Sequence, residues 1–171
     1  SHLFGTDEYG RDVFSRVVFG LRVAVQVALT SVLISTIIGM AIGVTAGYIG
    51  GWTDLIIQRF VDMFMAFPAV ILALAIVSVF GQSEPNVIMA LIIVQTPNVA
   101  RVVRAATLGI KERAFVEAAR STGASDTRIL WRHLAPNTVP VVLVIASASV
   151  GNAVLAEASL SFLGLGIPAP N

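Results

Sequence analysis

Charge is scarce in this chain, and where it falls decides which chemistry is open. Only 12% of the 171 residues are charged, against about 25% in soluble domains. The densest group lies in residues 117–136, EAARSTGASDTRILWRHLAP, with Glu117, Arg120, Asp126, Arg128 and Arg132. Acids and bases on a short amphipathic helix pair suit docking onto a soluble partner. A solvated loop fits the same pattern equally well. Enzymatic chemistry is harder to assemble. Both histidines, His2 and His133, fall in loops, and cysteine is absent. Thiol nucleophiles, disulfides and thiolate metal sites are therefore excluded. No HExxH, GxSxG or P-loop pattern occurs, so neither catalytic residues nor a metal or cofactor is expected. The apolar runs also lack the acid and base chains of a proton-coupled carrier. If the protein uses ATP, another subunit must hydrolyse it.

A few polar residues do lie within the apolar runs. Asp62 stands three residues after Arg59, so the two are placed to pair along one helix face near the end of a span. A functional role for Asp62 is the weaker reading. Gln95, Thr96 and Asn98, with Pro97 among them, interrupt a later run, and Asn152 interrupts the last. Polar groups at membrane depth suit a cavity or path lining; hydrogen bonding between helices competes with that reading.

The elements that must position these residues are membrane spans. Hydrophobic residues make up 56% of the chain, with a mean hydropathy of +0.87. Four spans are expected, over about residues 23–49, 55–80, 86–106 and 138–158. In the first, Ser31, Ser35, Gly39, Gly43 and Gly47 recur four apart, a stripe that lets helix backbones approach closely in lipid. Gly50 and Gly51 should close that helix. Pro68 should kink the second span, beside a soft surface of Met63, Phe64, Met65 and Phe67. Ahead of the spans, Val13, Phe14, Val17, Val18 and Leu21 predict a short interfacial helix, preceded by a turn in GTDEYGRD. Between the third and fourth spans, one helix is expected from about Thr107 to Arg120. Gly123 should close it, Ser125 should cap the next, and Ile129, Leu130 and Leu134 should share its apolar face before Pro136 ends it.

Orientation follows from basic residues. Arg101, Arg104, Lys111, Arg113, Arg120, Arg128 and Arg132, seven of eleven Lys and Arg, lie between the third and fourth spans, so that segment is expected in the cytoplasm. By parity both ends of the chain then fall outside. With no initiator Met and no signal peptide, the chain reads as a fragment. One further span at each end would give six.

Several stretches resemble a known family. Glu117-Ala118-Ala119, Gly123 and Pro136 stand in the register of the Glu-Ala-Ala loop of ABC importer permeases. His133 and Ala135 occupy its Ile and Leu positions. His2-Leu3-Phe4-Gly5-Thr6-Asp7 with Gly10-Arg11-Asp12 is similar to a segment of dipeptide, oligopeptide and nickel importer permeases, where Pro often replaces Leu3. Gly47-Tyr48-Ile49-Gly50-Gly51-Trp52 with Asp54, and Glu157 through Gly166, resemble two further motifs of those permeases, most closely of the second, C-type subunit.

The resemblance implies an all-α polytopic membrane protein, an ABC importer transmembrane domain with about four of six spans present. Residues 1–22 would be an extracytoplasmic segment with an interfacial helix, and 23–171 the transmembrane domain with a coupling loop at 107–136. Glu117, Ala118, Ala119, Gly123, Arg128 and Pro136 would then couple to an ATPase. Glu117 would pair with a basic group across the interface, the two alanines would allow close approach, and Gly123 would make the turn. Implied partners are a homologous second permease, two cytoplasmic ATPase subunits, an extracytoplasmic substrate-binding protein and the lipid bilayer, with no nucleic acid. The implied location is a bacterial or archaeal plasma membrane. The implied cargo is peptide, with nickel, glutathione or another small solute as alternatives.

Overall fold

The computed structural model describes residues 4–6, 10 and 12–166. Expectations for His2, Leu3, Arg11 and residues 167–171 lie outside the described residues. Among the described residues the long elements are all helices.

Helix α1, Val13–Ile49, is continuous over 37 residues. Asp12 caps it, its carboxylate accepting the Ser15 amide at 3.2 Å and hydroxyl at 2.6 Å. The separate interfacial helix expected over residues 11–22 is thus the first turns of α1, since no proline or paired glycine interrupts the run. Ahead of it Thr6 bridges Asp12, and the Val13 amide donates to the Gly5 carbonyl at 3.2 Å; residues 7–9 and 11 of the expected turn lie outside the described residues. At the far end Gly50, with φ +69°, donates its amide to the Ala46 carbonyl and closes α1.

The second expected span is two helices, α2 (Gly51–Met65) and α3 (Ala69–Phe80), bent by 85°. A kink was the expectation; the break is sharper. Pro68 has no N–H and biases Phe67 away from helical backbone, so the helix restarts instead of bending. Twelve residues span ~18 Å, so α3 alone cannot cross a ~30 Å hydrocarbon core. With the bent pair counted as one span, the described residues hold four candidate spans.

Helix α4, Glu84–Lys111, passes through Gln95-Thr96-Pro97-Asn98 without a break. It extends beyond the expected boundary at 106, so the helix predicted from Thr107 to Arg120 is divided. After a turn at Glu112 and Arg113 comes α5, Ala114–Ser121. The single turn α6, Asp126–Arg128, runs directly into a π-helical segment, Ile129–Leu134, and then α7, Ala135–Phe162. Pro136 therefore does not end the second short helix. It sits in the first turn of α7, and the Ala135 amide reaches back five residues to the Leu130 carbonyl. The wider π turn relieves the clash a proline ring makes with the carbonyl four residues earlier.

Helices α1 and α4 share the most extensive contact, along the small-residue stripe. A Cβ on Gly39 would lie 2.7 Å from Val99 Cβ, one on Gly43 2.5 Å from the Ala100 carbonyl, and one on Gly47 2.8 Å from Thr107 Cβ. Rising numbers meet rising numbers, so α1 and α4 run parallel. Ser31 and Ser35 are buried on the same face and bond their hydroxyls to the Ala28 and Val32 carbonyls. Helix α7 runs the other way: Val142 packs with Val44 and Tyr48, whereas Ala153 packs with Ala28 and Val32. Much of its surface, including Leu143, Val144, Leu155 and Phe162, is exposed.

Candidate coupling surface and path residues

Six residues of the Glu-Ala-Ala stretch, Ala119 to Ala124, build one tight turn. The Gly123 amide donates to the Arg120 carbonyl at 2.9 Å and the Ala124 amide to the Ala119 carbonyl at 3.0 Å. With Gly123 at φ +80°, this is a Schellman motif, the arrangement in which a left-handed glycine satisfies the last carbonyls of a helix. Ser125 then caps the next helix, its hydroxyl oxygen accepting the Arg128 amide at 3.4 Å. The two helix ends are thus held by local chemistry that the residue types specify.

The pair is seated by its apolar side. Val116, Ile129, Leu130 and Leu134 are buried in one cluster with Val44, Tyr48, Val103 and Ile110, and Ala119 and Ala124 pack against it. This fixes the opposite side outward. Glu117, Ala118, Gly123 and Arg128 are exposed. A shallow surface pocket of about 410 Å³ is lined by Phe115, Ala118, Ala119, Thr122, Gly123, Ala124, Arg128 and His133. Four of the expected coupling residues therefore share one concavity. Glu117 is exposed on the same helix, outside the lining. Pro136 lies apart, in α7. His133, off pattern, puts its ring 6.4 Å from that of Phe115. Ala135, the other departure, is buried.

Charged groups crowd the same end of the bundle. Arg104 makes a two-pronged ion pair with Asp54 of α2. Asp62 bonds to Arg101 of α4 at 2.6 Å. In place of the expected pair with Arg59, Asp62 pairs with Arg101, which the α2–α4 crossing brings within reach. Lys111 donates to the Gly47 carbonyl at 3.0 Å, in the last turn of α1. Tyr48 donates its hydroxyl to Asp126 at 2.5 Å, and the Arg120 guanidinium sits 5.4 Å from the Tyr48 ring centre. None of these pairings is spaced for sequence reasoning to find; they join residues about 40 to 80 apart. The one available signal was composition, with acids on α2 and arginines on α4.

The candidate path residues are not assembled. Gln95 buries both amide atoms without a hydrogen-bond partner. Thr96 bonds its hydroxyl to the Ile92 carbonyl at 2.7 Å and lines an apolar cavity of about 380 Å³ between α1, α2 and α4. Asn98 and Asn152 are exposed on α4 and α7. No hydrogen bond joins any two of the four. Glu157, near the expected end of the last span at 158, lies inside α7, 8% exposed and with no partner among the described residues.

The fold and this surface together define a polytopic α-helical membrane protein that carries a helix pair on one end of its bundle. Comparison with known proteins gives its family. A family described as "Binding-protein-dependent transport system inner membrane component" matches residues 39–171, and the chain belongs to it. Its fold is that of an ABC importer transmembrane domain. The chain is 41% identical over 169 residues to a dipeptide transport system permease protein of Alkalihalophilus pseudofirmus. It is 47% identical over 169 residues to a glutathione transport system permease protein of Shigella flexneri, and 45% to one of Escherichia coli. Each alignment covers 99% of this chain and 56% of the relative. The chain thus spans about half the length of the curated relatives it matches.

Proposed function

We propose that this protein is a non-catalytic permease subunit of an ABC importer. With a homologous second permease it forms the translocation path for peptides, glutathione being the alternative that the relatives' names support equally. Nickel or another small solute delivered by a binding protein follows. A stand-alone secondary carrier is the weaker reading, because no chain of intramembrane acids and bases is present in the sequence to carry protons. Of two cytoplasmic ATPases, one docks on the α5–α6 pair, and residues 107–136 face the cytoplasm of a bacterial or archaeal cell. An extracytoplasmic binding protein delivers the solute.

The observation that carries this reading is the α5–α6 pair itself. It is anchored by a buried apolar face and offers Ala118, Gly123 and Arg128 around an open pocket. A solvated loop needs no such seat. Alanines without bulk and a glycine turn let a partner's surface come close; Glu117 and Arg128 supply charges for it. ATP-driven closure of the two ATPases then moves the seated pair, and the spans rotate with it as rigid units. Gln95, Thr96, Asn98 and Asn152 are proposed as path residues, Asn98 and Asn152 first because both are exposed.

Glu117→Ala should abolish transport and ATPase coupling while the subunit still inserts. Loss of one member of a desolvated charge pair costs ~2–5 kcal/mol. Gly123→Pro should do the same, since proline holds φ near −65° and lacks the amide that bonds Arg120. The check is co-purification of the ATPases with the full-length subunit, alongside uptake of radiolabelled dipeptide and glutathione into proteoliposomes. Wild-type uptake by both variants would overturn the reading.

A further inference from the structure

We infer that Tyr48 is a strap that ties the α5–α6 pair to α1, beside the direct continuation of α6 into α7; this rests on the coupling role proposed above. Tyr48 lies in the last turn of α1 and is 7% exposed. Its two ends do different work. The hydroxyl donates to Asp126, the first residue of α6. The ring receives the Arg120 guanidinium at 5.4 Å, from the last turn of α5. Arg120 and Asp126 flank the Gly123 turn, so one side chain grips both arms of the pair across the hinge between them.

The rest of α1 makes that grip consequential. One residue before Tyr48, Gly47 meets Thr107 of α4 with no room for a Cβ, and its carbonyl accepts Lys111. The same close approach continues at Gly43 and Gly39. A displacement of α5–α6 therefore reaches α1 at Tyr48 and passes to α4 along the glycine stripe, without needing the exposed turn at 112–113 to be stiff. The apolar contacts that seat the pair are themselves non-directional. A charge-assisted hydrogen bond and a cation over a ring fix direction. Tyr48 is buried and lies outside the lining of the surface pocket, so it acts as a positioning residue.

The test uses the complete importer, with full-length subunit, second permease and ATPases, in proteoliposomes. The reading is the stimulation of ATP hydrolysis by the importer's substrate-binding protein, relative to the same complex without it. That signal must cross the permease from outer face to inner. Tyr48→Phe keeps the ring over Arg120 and removes only the hydroxyl. It should lower the stimulation about tenfold, equivalent to ~1.4 kcal/mol, with the ATPases still bound. Asp126→Ala should match it, and the double variant should lose no more than either alone. Asp126→Asn, which keeps an acceptor oxygen, should retain most of the stimulation. Full stimulation in Tyr48→Phe, or additive losses in the double variant, would overturn the strap while leaving the coupling role standing. A wild-type complex that fails to hold its ATPases would overturn both.

Discussion

Asp54 and Asp62 sit eight residues apart on α2, each paired with an arginine of α4, yet they should not matter equally. The Arg104–Asp54 side chains are 28% and 16% exposed, those of Arg101–Asp62 45% and 55%. Exposed pairs are screened and contribute ~0–1 kcal/mol; removing one partner of a desolvated pair costs more. Asp54→Ala is therefore expected to lower the unfolding free energy in detergent by ~2 kcal/mol, and Asp62→Ala by no more than ~1 kcal/mol. Thermal melts of the two variants would rank them, and a larger loss at Asp62 would refute the ranking. The error over Asp62 has a plain cause. Sequence spacing puts Arg59 one turn away, and nothing in the sequence reports a guanidinium on another helix. Gly123 and Ser125, by contrast, were legible, because a left-handed glycine and a capping hydroxyl act on their own few residues.

At the scale of elements, the glycine stripe makes the sharpest demand. A methyl group at Gly43 would stand 2.5 Å from the Ala100 carbonyl and 2.8 Å from Val103 Cβ. Backbone cannot yield as a flexible side chain does, so Gly43→Ala should push α1 from α4. A cost of ~1–3 kcal/mol is expected, as for other overpacked sites, seen as a lower melting temperature in detergent. An unchanged melt would mean the helices separate freely here. The stripe's existence was readable from its four-residue spacing; its partner was not. Helix ends fared less well. Pro68 was expected to kink and breaks, whereas Pro136 was expected to break and is absorbed by a π turn. A proline states only that one amide is missing. Whether the chain restarts or widens depends on where the neighbouring segments are packed.

For the whole molecule, the parallel course of α1 and α4 and the reversed course of α7 agree with the alternation expected from the basic residues. They also bring the ends of α1 and α4 and the α5–α6 pair to one pole, with the α3–α4 turn at the other. The chain has no cysteine, so single introduced thiols report cleanly. In intact cells an impermeant maleimide should label Gln82→Cys in the α3–α4 turn, and should label Ser121→Cys only after permeabilisation. The reverse pattern would overturn the proposed orientation.

The sequence by itself determined the class of this protein: long apolar runs, charge confined to their ends, a small-residue stripe and a short polar helix–turn–helix segment. Each is a local property, set by composition or by spacing within one helix, where the backbone geometry is known in advance. Only the tertiary structure decided the pairings. It set Gly43 against Ala100, Asp62 against Arg101, and Tyr48 beneath both arms of the α5–α6 pair. Those contacts join residues far apart in the chain, and they exist only once helices of particular direction and tilt have packed together.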